Sequence, residues 1–147
     1  MSVGRVIGAG LVAGLVLNIG EYLLNAVILA EDWEAAAEAV SVPPMTGAEI
    51  GVLVLLGFVI GIALVWLYAA IRPRFGPGAK TAAIAGIFTW FLLAIPPYVW
   101  NALNPVYPSR LMMIGAVWAF FEYLIAAMVG GWLYKEEPTA PAASVAR

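Results

Sequence analysis

The sequence predicts an all-α membrane protein: a bundle of four transmembrane helices with both termini in the cytoplasm. A short amphipathic surface helix is predicted between the first and second spans. Three observations carry this prediction. They are the composition, four long apolar segments, and the one-sided distribution of lysine and arginine along the chain.

The composition fits a lipid solvent. The chain has 147 residues, of which 64% are hydrophobic and 11% are charged, whereas soluble domains have about 25% charged residues. So few polar residues cannot cover a water-facing surface. The chain has no cysteine and no histidine, which removes disulfides, thiol chemistry, the usual zinc sites and His-ligated haem. We therefore predict no catalytic residue, metal site or cofactor, and no basic run suggests nucleic acid.

Four segments are long enough to cross a bilayer, since about 30 Å of hydrocarbon takes about 20 helical residues. They cover residues 3–30, 50–71, 81–100 and 111–134 of a single domain, 1–135. The first is longer than the h-region of a secretory signal, so we interpret it as a retained helix. Pro96-Pro97 should kink or end the third span. Residues 136–147 are small, polar and Pro-containing, which predicts a disordered cytoplasmic tail.

The orientation follows from the positive charges, because cytoplasmic loops carry the excess of Lys and Arg. In a four-span topology Arg110 alone falls on the second side, which predicts a multi-pass protein of the bacterial cytoplasmic membrane with both termini inside. The loop between spans two and three is basic and could meet anionic lipid headgroups. The residues on the predicted cytoplasmic side are Arg5, Arg72, Arg74, Lys80, Lys135 and Arg147.

The first external loop has a helical pattern over residues 31–40, followed by Pro43-Pro44. Acidic residues begin the segment and suit the helix dipole. Trp33, Ala37 and Val40 fall on one face of such a helix, and Glu34 and Glu38 on another. The pattern predicts an amphipathic helix on the outer membrane surface. Its role is either that of an ordered cap or that of a partner-docking site.

Two ionisable residues lie inside the predicted spans, Glu21 and Glu122, at a similar depth. Such residues are costly in lipid and are functional-site candidates by default. Asn18, Glu21 and Asn25 are spaced i, i+3 and i+7 and share one helical stripe. With Glu122 and Tyr123 they form a predicted intramembrane polar cluster. Its function is either proton or cation coupling, or an interhelical hydrogen-bond clamp.

Glycines recur at four-residue spacing, which permits close approach of helix backbones in lipid. We interpret these pairs as seams inside the bundle in preference to a dimer face. The pairs are Gly4 and Gly8, Gly10 and Gly14, Gly47 and Gly51, and Gly57 and Gly61.

The layout resembles a family of small bacterial four-helix membrane proteins known only as a domain of unknown function. The resemblance rests on the Trp-containing segment around Trp33 after the first span and on a third span ending at Asn101, before the turn at Pro108-Ser-Arg110. It implies a four-helix fold and no activity. The chain is also similar to the small multidrug exporters, which have four short spans and one essential Glu in the first, matched here by Glu21. The late position of Glu21 and the second acid, Glu122, depart from that pattern.

Two functions remain open at this point. The first is a non-catalytic accessory subunit or assembly factor, which would contact the lipid bilayer and other membrane subunits or a second copy. The alternative is a small proton-coupled transporter that acts as a dimer and uses Glu21 and Glu122. No nucleophile-base pair or metal set is visible, so an enzyme is not expected.

Overall fold

The computed structural model describes residues 2–135, and this part of the chain contains helices and no strands. The predicted tail at 136–147 lies outside the described residues. In chain order the helices are α1 (Val3–Glu21), a π-helix (Tyr22–Ile28), α2 (Ala30–Ala39), α3 (Gly47–Phe75), α4 (Ala79–Leu103) and α5 (Ser109–Leu133).

Four helical segments are long and apolar enough to cross a membrane: Val3–Ile28, Gly47–Phe75, Ala79–Leu103 and Ser109–Leu133. They correspond to the four predicted spans, with ends that differ by at most four residues. The all-helical prediction is confirmed, and the chain has the architecture of a small integral membrane protein. The first segment differs in kind, because it changes from α to π geometry after Glu21.

The expectation that Pro96-Pro97 would end the third span is wrong. Helix α4 continues past both prolines to Leu103. Proline removes a hydrogen-bond donor and crowds the preceding turn, but membrane helices tolerate it because the environment gives the backbone no better alternative than helical geometry. The amide of Asn104 bonds the carbonyl of Trp100 at 2.9 Å, so helical bonding is re-established beyond the prolines.

Helices α1 and α3 cross at a contact made by glycines. A Cβ on Gly10 would lie 2.5 Å from the Cα of Ile62, and one on Gly14 would lie 2.7 Å from the Cα of Phe58. A Cβ on Gly61 would collide with the backbone of Gly14. The prediction of a seam inside the bundle is confirmed here for Gly10, Gly14 and Gly61.

The remaining predicted glycine positions divide into two kinds. Gly57 faces the side-chain amide of Asn18 across the same crossing. In contrast, Gly4, Gly8, Gly47 and Gly51 have open space where a side chain would be, with nothing within 4 Å in the described chain. Those four glycines are not part of a seam within the bundle.

One end of the bundle, which we call the basal end, holds the start of α1 and the end of α5. There the guanidinium of Arg5 donates to the backbone oxygen of Lys135 at 2.6 Å. The Tyr68 hydroxyl accepts from the amide of Gly78 at 3.1 Å, and its ring packs edge-on against Tyr134. Small side chains from all four long helices fill the space between, including Ala13, Ala85 and Ala126, which are fully buried.

The opposite end, the α2 end, is closed on one side by helix α2. Trp33 packs edge-on against Tyr107 with ring centroids 5.7 Å apart, and Asp32 pairs with Arg110 at 3.4 Å. Ala36 is the buried residue of α2. Val40, which we expected on the face of Trp33, lies beyond the end of the helix at Ala39 and is exposed.

Helix α3 leaves the bundle at the α2 end. Its first ten residues, Gly47–Leu56, are exposed without exception. They are almost entirely apolar, so in a bilayer they would be surrounded by lipid or by another protein. The four long helices therefore pack together at the basal end. At the α2 end α3 is exposed, while Leu24, Leu29, Ala36 and Leu111 form a second buried cluster.

Candidate functional site

The predicted polar cluster lies at the π-helix. This helix begins directly after Glu21, contains Asn25, and ends where the amide of Leu29 bonds the carbonyl of Leu24 at 2.8 Å. Because i→i+5 bonding widens the turn, residues on either side no longer follow the 3.6-residue period, and such segments occur frequently at functional sites. Glu21 and Asn25 are thus aligned by a local departure from α geometry.

A hydrogen-bonded chain connects α2 to the carboxyl of Glu21. The indole of Trp33 donates to the side-chain oxygen of Asn25 at 2.9 Å. The Asn25 amide nitrogen in turn donates to Oε2 of Glu21 at 2.7 Å and to the Glu21 backbone oxygen at 3.1 Å. This series of hydrogen bonds fixes the orientation of the Glu21 carboxyl, in which Oε2 accepts the bond from Asn25.

Glu122 lies beside Glu21 on the interior face of α5. It is 5% exposed, and its carboxyl lies against the backbone and the carboxyl of Glu21 without a hydrogen bond of good geometry among the described residues. Its carboxyl rests against the backbone of Gly20, where any Cβ would collide with it. The two carboxyl groups are near enough to interact electrostatically. An unpaired buried polar group is costly, at about 1–3 kcal/mol, so this arrangement needs a functional explanation.

A cleft of about 370 Å³ opens beside Glu21. Its floor is α5, and its two sides are the π-helix region and α4. The polar groups that face it belong to Glu21, Asn25, Trp33, Tyr98 and Tyr123. The rest of the surface is largely apolar and includes Leu24, Leu93, Ala94, Pro97, Leu111 and Met112.

Four of the five residues predicted as a polar cluster come together. Glu21, Asn25 and Tyr123 line the cleft, and Glu122 lies behind Glu21. Asn18 is directed elsewhere: its amide donates to the carbonyls of Gly14 at 2.9 Å and Val54 at 3.2 Å, and so joins α1 to α3. Asn18 and Glu21 both lie in α1, where positions i and i+3 are offset by about 60° around the helix, so Asn18 faces α3 while Glu21 faces the cleft.

The other predicted positions lie away from the cleft, with one exception. Trp33, assigned from the sequence to the surface helix, is part of the site. Glu34 and Glu38 are exposed on α2. In the basic loop Arg74 and Lys80 are exposed, while the guanidinium of Arg72 lies over the ring of Tyr134 at 5.8 Å.

Sequence reasoning missed Gly20, Tyr98 and the link from Trp33 to Asn25. Nothing in the sequence spacing of Trp33 and Tyr98 indicates that their side chains line a cleft. The short distance along the chain between Asn25 and Trp33 was the one available indication. A π-helix has no sequence pattern from which it could be predicted.

Below Glu122 the interior is closed toward the basal end. Leu17, Leu64, Val65 and Ala126 are at most 3% exposed and form a close-packed apolar layer. The cleft therefore extends to Glu21 and is separated from the basal end by this layer.

Comparison of the chain with protein-family models, with curated proteins and with solved structures found no match. The arguments below accordingly rest on the residues and contacts just described.

Proposed function

We propose that this small integral membrane protein is a proton-coupled transporter, with the cleft as its binding site and Glu21 and Glu122 as the groups that carry protons. The observation that carries the proposal is the pair of neighbouring carboxyls. Glu122 is buried without a hydrogen bond of good geometry among the described residues, and it contacts Glu21, which lines the cleft. A structural clamp would pair both oxygens. Adjacent carboxyl groups titrate as one unit and can exchange a proton between them.

The proposal includes an orientation and a cellular membrane. Both termini and the Arg72–Lys80 loop would be cytoplasmic, in the cytoplasmic membrane of a bacterium, with α2 on the outer surface. The excess of Lys and Arg at the basal end supports this assignment. The cleft would then open outward, and the basal layer would separate it from the cytoplasm.

The orientation has a direct test. The chain has no cysteine, so single variants Glu34→Cys and Lys80→Cys can be labelled in intact cells with a membrane-impermeant maleimide. Both positions are exposed. We expect labelling of Glu34→Cys in intact cells, and of Lys80→Cys after the cells are opened. The reverse pattern would invert the orientation.

Transport is tested in proteoliposomes that carry an internal pH dye and an imposed pH gradient. The panel of external solutes includes cationic, neutral and anionic compounds. We expect at least one solute to dissipate the gradient through the wild-type protein, and Glu21→Gln and Glu122→Gln each to reduce that rate at least ten-fold.

Glu49→Gln is the matched control, because Glu49 forms a capping box with Thr46 that glutamine can maintain. It makes the same change of charge away from the cleft and should transport at the wild-type rate. If no solute responds, or if both cleft variants keep the wild-type rate, the transporter proposal is wrong.

A second candidate is a non-catalytic accessory subunit or assembly factor that packs against other membrane subunits or a second copy. The exposure of the whole first third of α3, Gly47–Leu56, favours it. Purification into lipid nanodiscs without crosslinker tests this function by asking what accompanies the protein. Gly51 lies in this exposed segment and Gly115 lines the cleft, and a Cβ at either position would meet nothing within 4 Å in the described chain. A stoichiometric partner that is lost from Gly51→Leu and kept by Gly115→Leu would support the subunit function. Recovery of the protein alone would count against it.

A further inference from the structure

We infer that a zwitterionic phospholipid binds at the α2 end of the bundle. An acyl chain lies in a second groove, between α4 and the start of α5, and the headgroup lies on the ion pair of Asp32 and Arg110. This groove shares Pro97 and Met112 with the cleft but does not include Glu21. The inference is therefore independent of the proposed transport function.

The second groove, which we call the α4–α5 groove, has the size and composition of a site for hydrocarbon. It runs along α4 from Pro96 to Asn104, and Val106, Tyr107 and Met112 complete it. Its volume is about 560 Å³, within the range of about 300–1,000 Å³ that is typical of ligand pockets. None of the described residues that line it is charged.

The groove extends from the end of a helix into the membrane span. Pro96 lies seven residues before the end of α4 at Leu103, which is about 10 Å at 1.5 Å per residue. Trp100 is 69% exposed and Val106 is 53% exposed, so the groove lies on the outer surface of the bundle. Because the ends of spans lie near the lipid headgroups, an occupant would have its polar part at the rim and its apolar part toward the bilayer interior.

One wall of the groove is held in place by Asn101, which is 6% exposed. Its side-chain oxygen accepts from the amides of Val106 at 3.3 Å and Tyr107 at 3.1 Å, and its nitrogen donates to the carbonyl of Tyr107 at 3.0 Å. These bonds fix the turn between α4 and α5. A preformed wall needs little ordering when a ligand binds, which favours affinity.

The headgroup contacts follow from the position of Arg110. It lies in the first turn of α5, between the groove residues Tyr107 and Met112. Its guanidinium pairs with Asp32 of α2 at 3.4 Å, and the two side chains are 68% and 42% exposed. In a phospholipid the phosphate is attached to the glycerol that carries the acyl chains, and the ammonium lies beyond it. The order of chain, phosphate and ammonium therefore matches the order of groove, Arg110 and Asp32.

The chemistry of the two side chains suits these contacts. A guanidinium matches the geometry of phosphate oxygens, and an ammonium donates strongly to a carboxylate. An exposed ion pair contributes little by itself, so Asp32 and Arg110 lose little when they exchange part of their mutual contact for the headgroup.

The surrounding charge favours a zwitterionic headgroup over an anionic one. Helix α2 carries Glu31, Glu34 and Glu38 in addition to Asp32, and Arg110 is the single basic side chain at this end of the described chain. This excess of negative charge attracts an ammonium and repels a headgroup with a net negative charge.

The test is native mass spectrometry of the wild-type protein in detergent micelles, titrated with dioleoylphosphatidylethanolamine. Dioleoylphosphatidylglycerol and dioleoylglycerol have the same chains with an anionic headgroup and with no phosphate. We expect the first molecule of the zwitterionic lipid to bind at least five-fold more tightly than either analogue. Arg110→Gln and Asp32→Asn should each reduce this preference below two-fold. Arg74→Gln, which removes the same charge at an exposed position of the basal end, should leave it unchanged.

A charge exchange tests the order of the headgroup contacts. The double variant Asp32→Arg with Arg110→Asp keeps an ion pair between the same two positions but places the carboxylate beside the groove. We expect it to lose the preference for the zwitterionic lipid. A preference that survives the exchange would show that the headgroup does not lie on this pair.

A steric variant tests the groove without altering any charge. Val106 is exposed, so Val106→Trp should be accommodated by the fold, fill the groove and weaken binding of the zwitterionic lipid at least ten-fold. Val52→Trp makes the same change at a valine that is 64% exposed in α3, and should bind as wild type does.

Each result supports or overturns the inference. Equal binding of the three lipids, or tighter binding of the anionic one, would reject the zwitterionic class. Wild-type binding by Val106→Trp, or equal weakening in Val52→Trp, would reject the groove. None of these variants alters Glu21 or Glu122, so either rejection leaves the transporter proposal to its own test.

Discussion

Gly20 and Gly61 both lie at close contacts in the bundle, but their neighbours differ. At Gly20 a side chain would meet the flexible end of Glu122, whereas at Gly61 it would meet the backbone of Gly14. A carboxyl can move aside, but two helix backbones in contact can only separate. The α1–α3 crossing therefore depends on Gly61 far more than the fold depends on Gly20.

We predict that Gly61→Ala lowers the free energy of unfolding by about 1–3 kcal/mol, as overpacking does in closely packed interiors. Gly51→Ala is the matched control, since its Cβ enters open space and alanine gains about 0.5–1 kcal/mol over glycine in a helix. Reversible unfolding in mixed detergent micelles measures both. Equal stabilities for the two variants would show that the crossing can open without cost.

The hydrogen bond between Trp33 and Asn25 is the single side-chain link from α2 to the carboxyl site among the bonds described above. A double-mutant cycle with Trp33→Phe and Asn25→Ala should give a coupling free energy of about 0.6–2 kcal/mol, the range for polar contacts in membranes. Phenylalanine keeps a ring against Tyr107. In the parallel cycle Trp100→Phe, at a largely exposed tryptophan, should show no coupling to Asn25→Ala; equal coupling in both cycles would refute the link.

At the scale of the element, the start of α3 is defined by its cap, because the residues of its first turns are exposed. Thr46 accepts from the Glu49 amide at 3.3 Å, while the Glu49 carboxylate accepts from the Thr46 amide at 2.7 Å. This reciprocal arrangement satisfies amides that the helix itself leaves without partners.

Thr46→Ala should therefore destabilise the first turn of α3 by about 1 kcal/mol, and Thr46→Ser should not. Hydrogen exchange of the amides at positions 47–50 measures the effect locally, with roughly five-fold faster exchange expected in Thr46→Ala. Unchanged exchange in that variant would mean that the turn is stabilised by its surroundings instead.

The long elements were predictable from the sequence because lipid demands a continuous apolar helix, and the segment around Ile50–Ile71 leaves no other interpretation. Local deviations were not. Pro96-Pro97 would end a helix in water, but α4 continues through them. The spacing of Asn18, Glu21 and Asn25 implied a shared face, but the offset of about 60° between positions i and i+3 is enough to direct Asn18 to α3 instead.

The candidate site was predictable in part for the same reason. A carboxyl inside a membrane span is energetically costly and therefore marks a candidate site, so Glu21 and Glu122 could be predicted from the sequence. Their surroundings depend on how four helices approach one another. The contributions of Gly20 and Tyr98 follow from that packing, which no periodicity within a single helix encodes.

At the scale of the whole molecule, one end is packed and the other is open. Ala85 and Ala126 are fully buried, whereas Gly115 lines an open cleft. This asymmetry predicts a difference in water access along the bundle.

Single cysteines can report it, since the chain has none of its own. A hydrophilic maleimide reacts with the thiolate, which forms in water. We predict that Gly115→Cys and Ala94→Cys react at least ten-fold faster than Ala85→Cys and Ala126→Cys in nanodiscs. Denaturation in SDS should make all four equal. Similar rates in the folded protein would show that the cleft is dry or that the basal layer is wet.

The crossing of α1 and α3 has a mechanical consequence. Helix α3 packs closely against α1 at Gly61. Between Gly61 and the α2 end, the Asn18 side chain joins the two helices in the described chain by donating to the carbonyl of Val54. The segment Gly47–Leu56 therefore extends from a closely packed glycine contact, and its own residues are exposed. We expect this segment to tilt in lipid more readily than the basal half, because the hydrogen bond that opposes tilting is worth only about 0.6–2 kcal/mol.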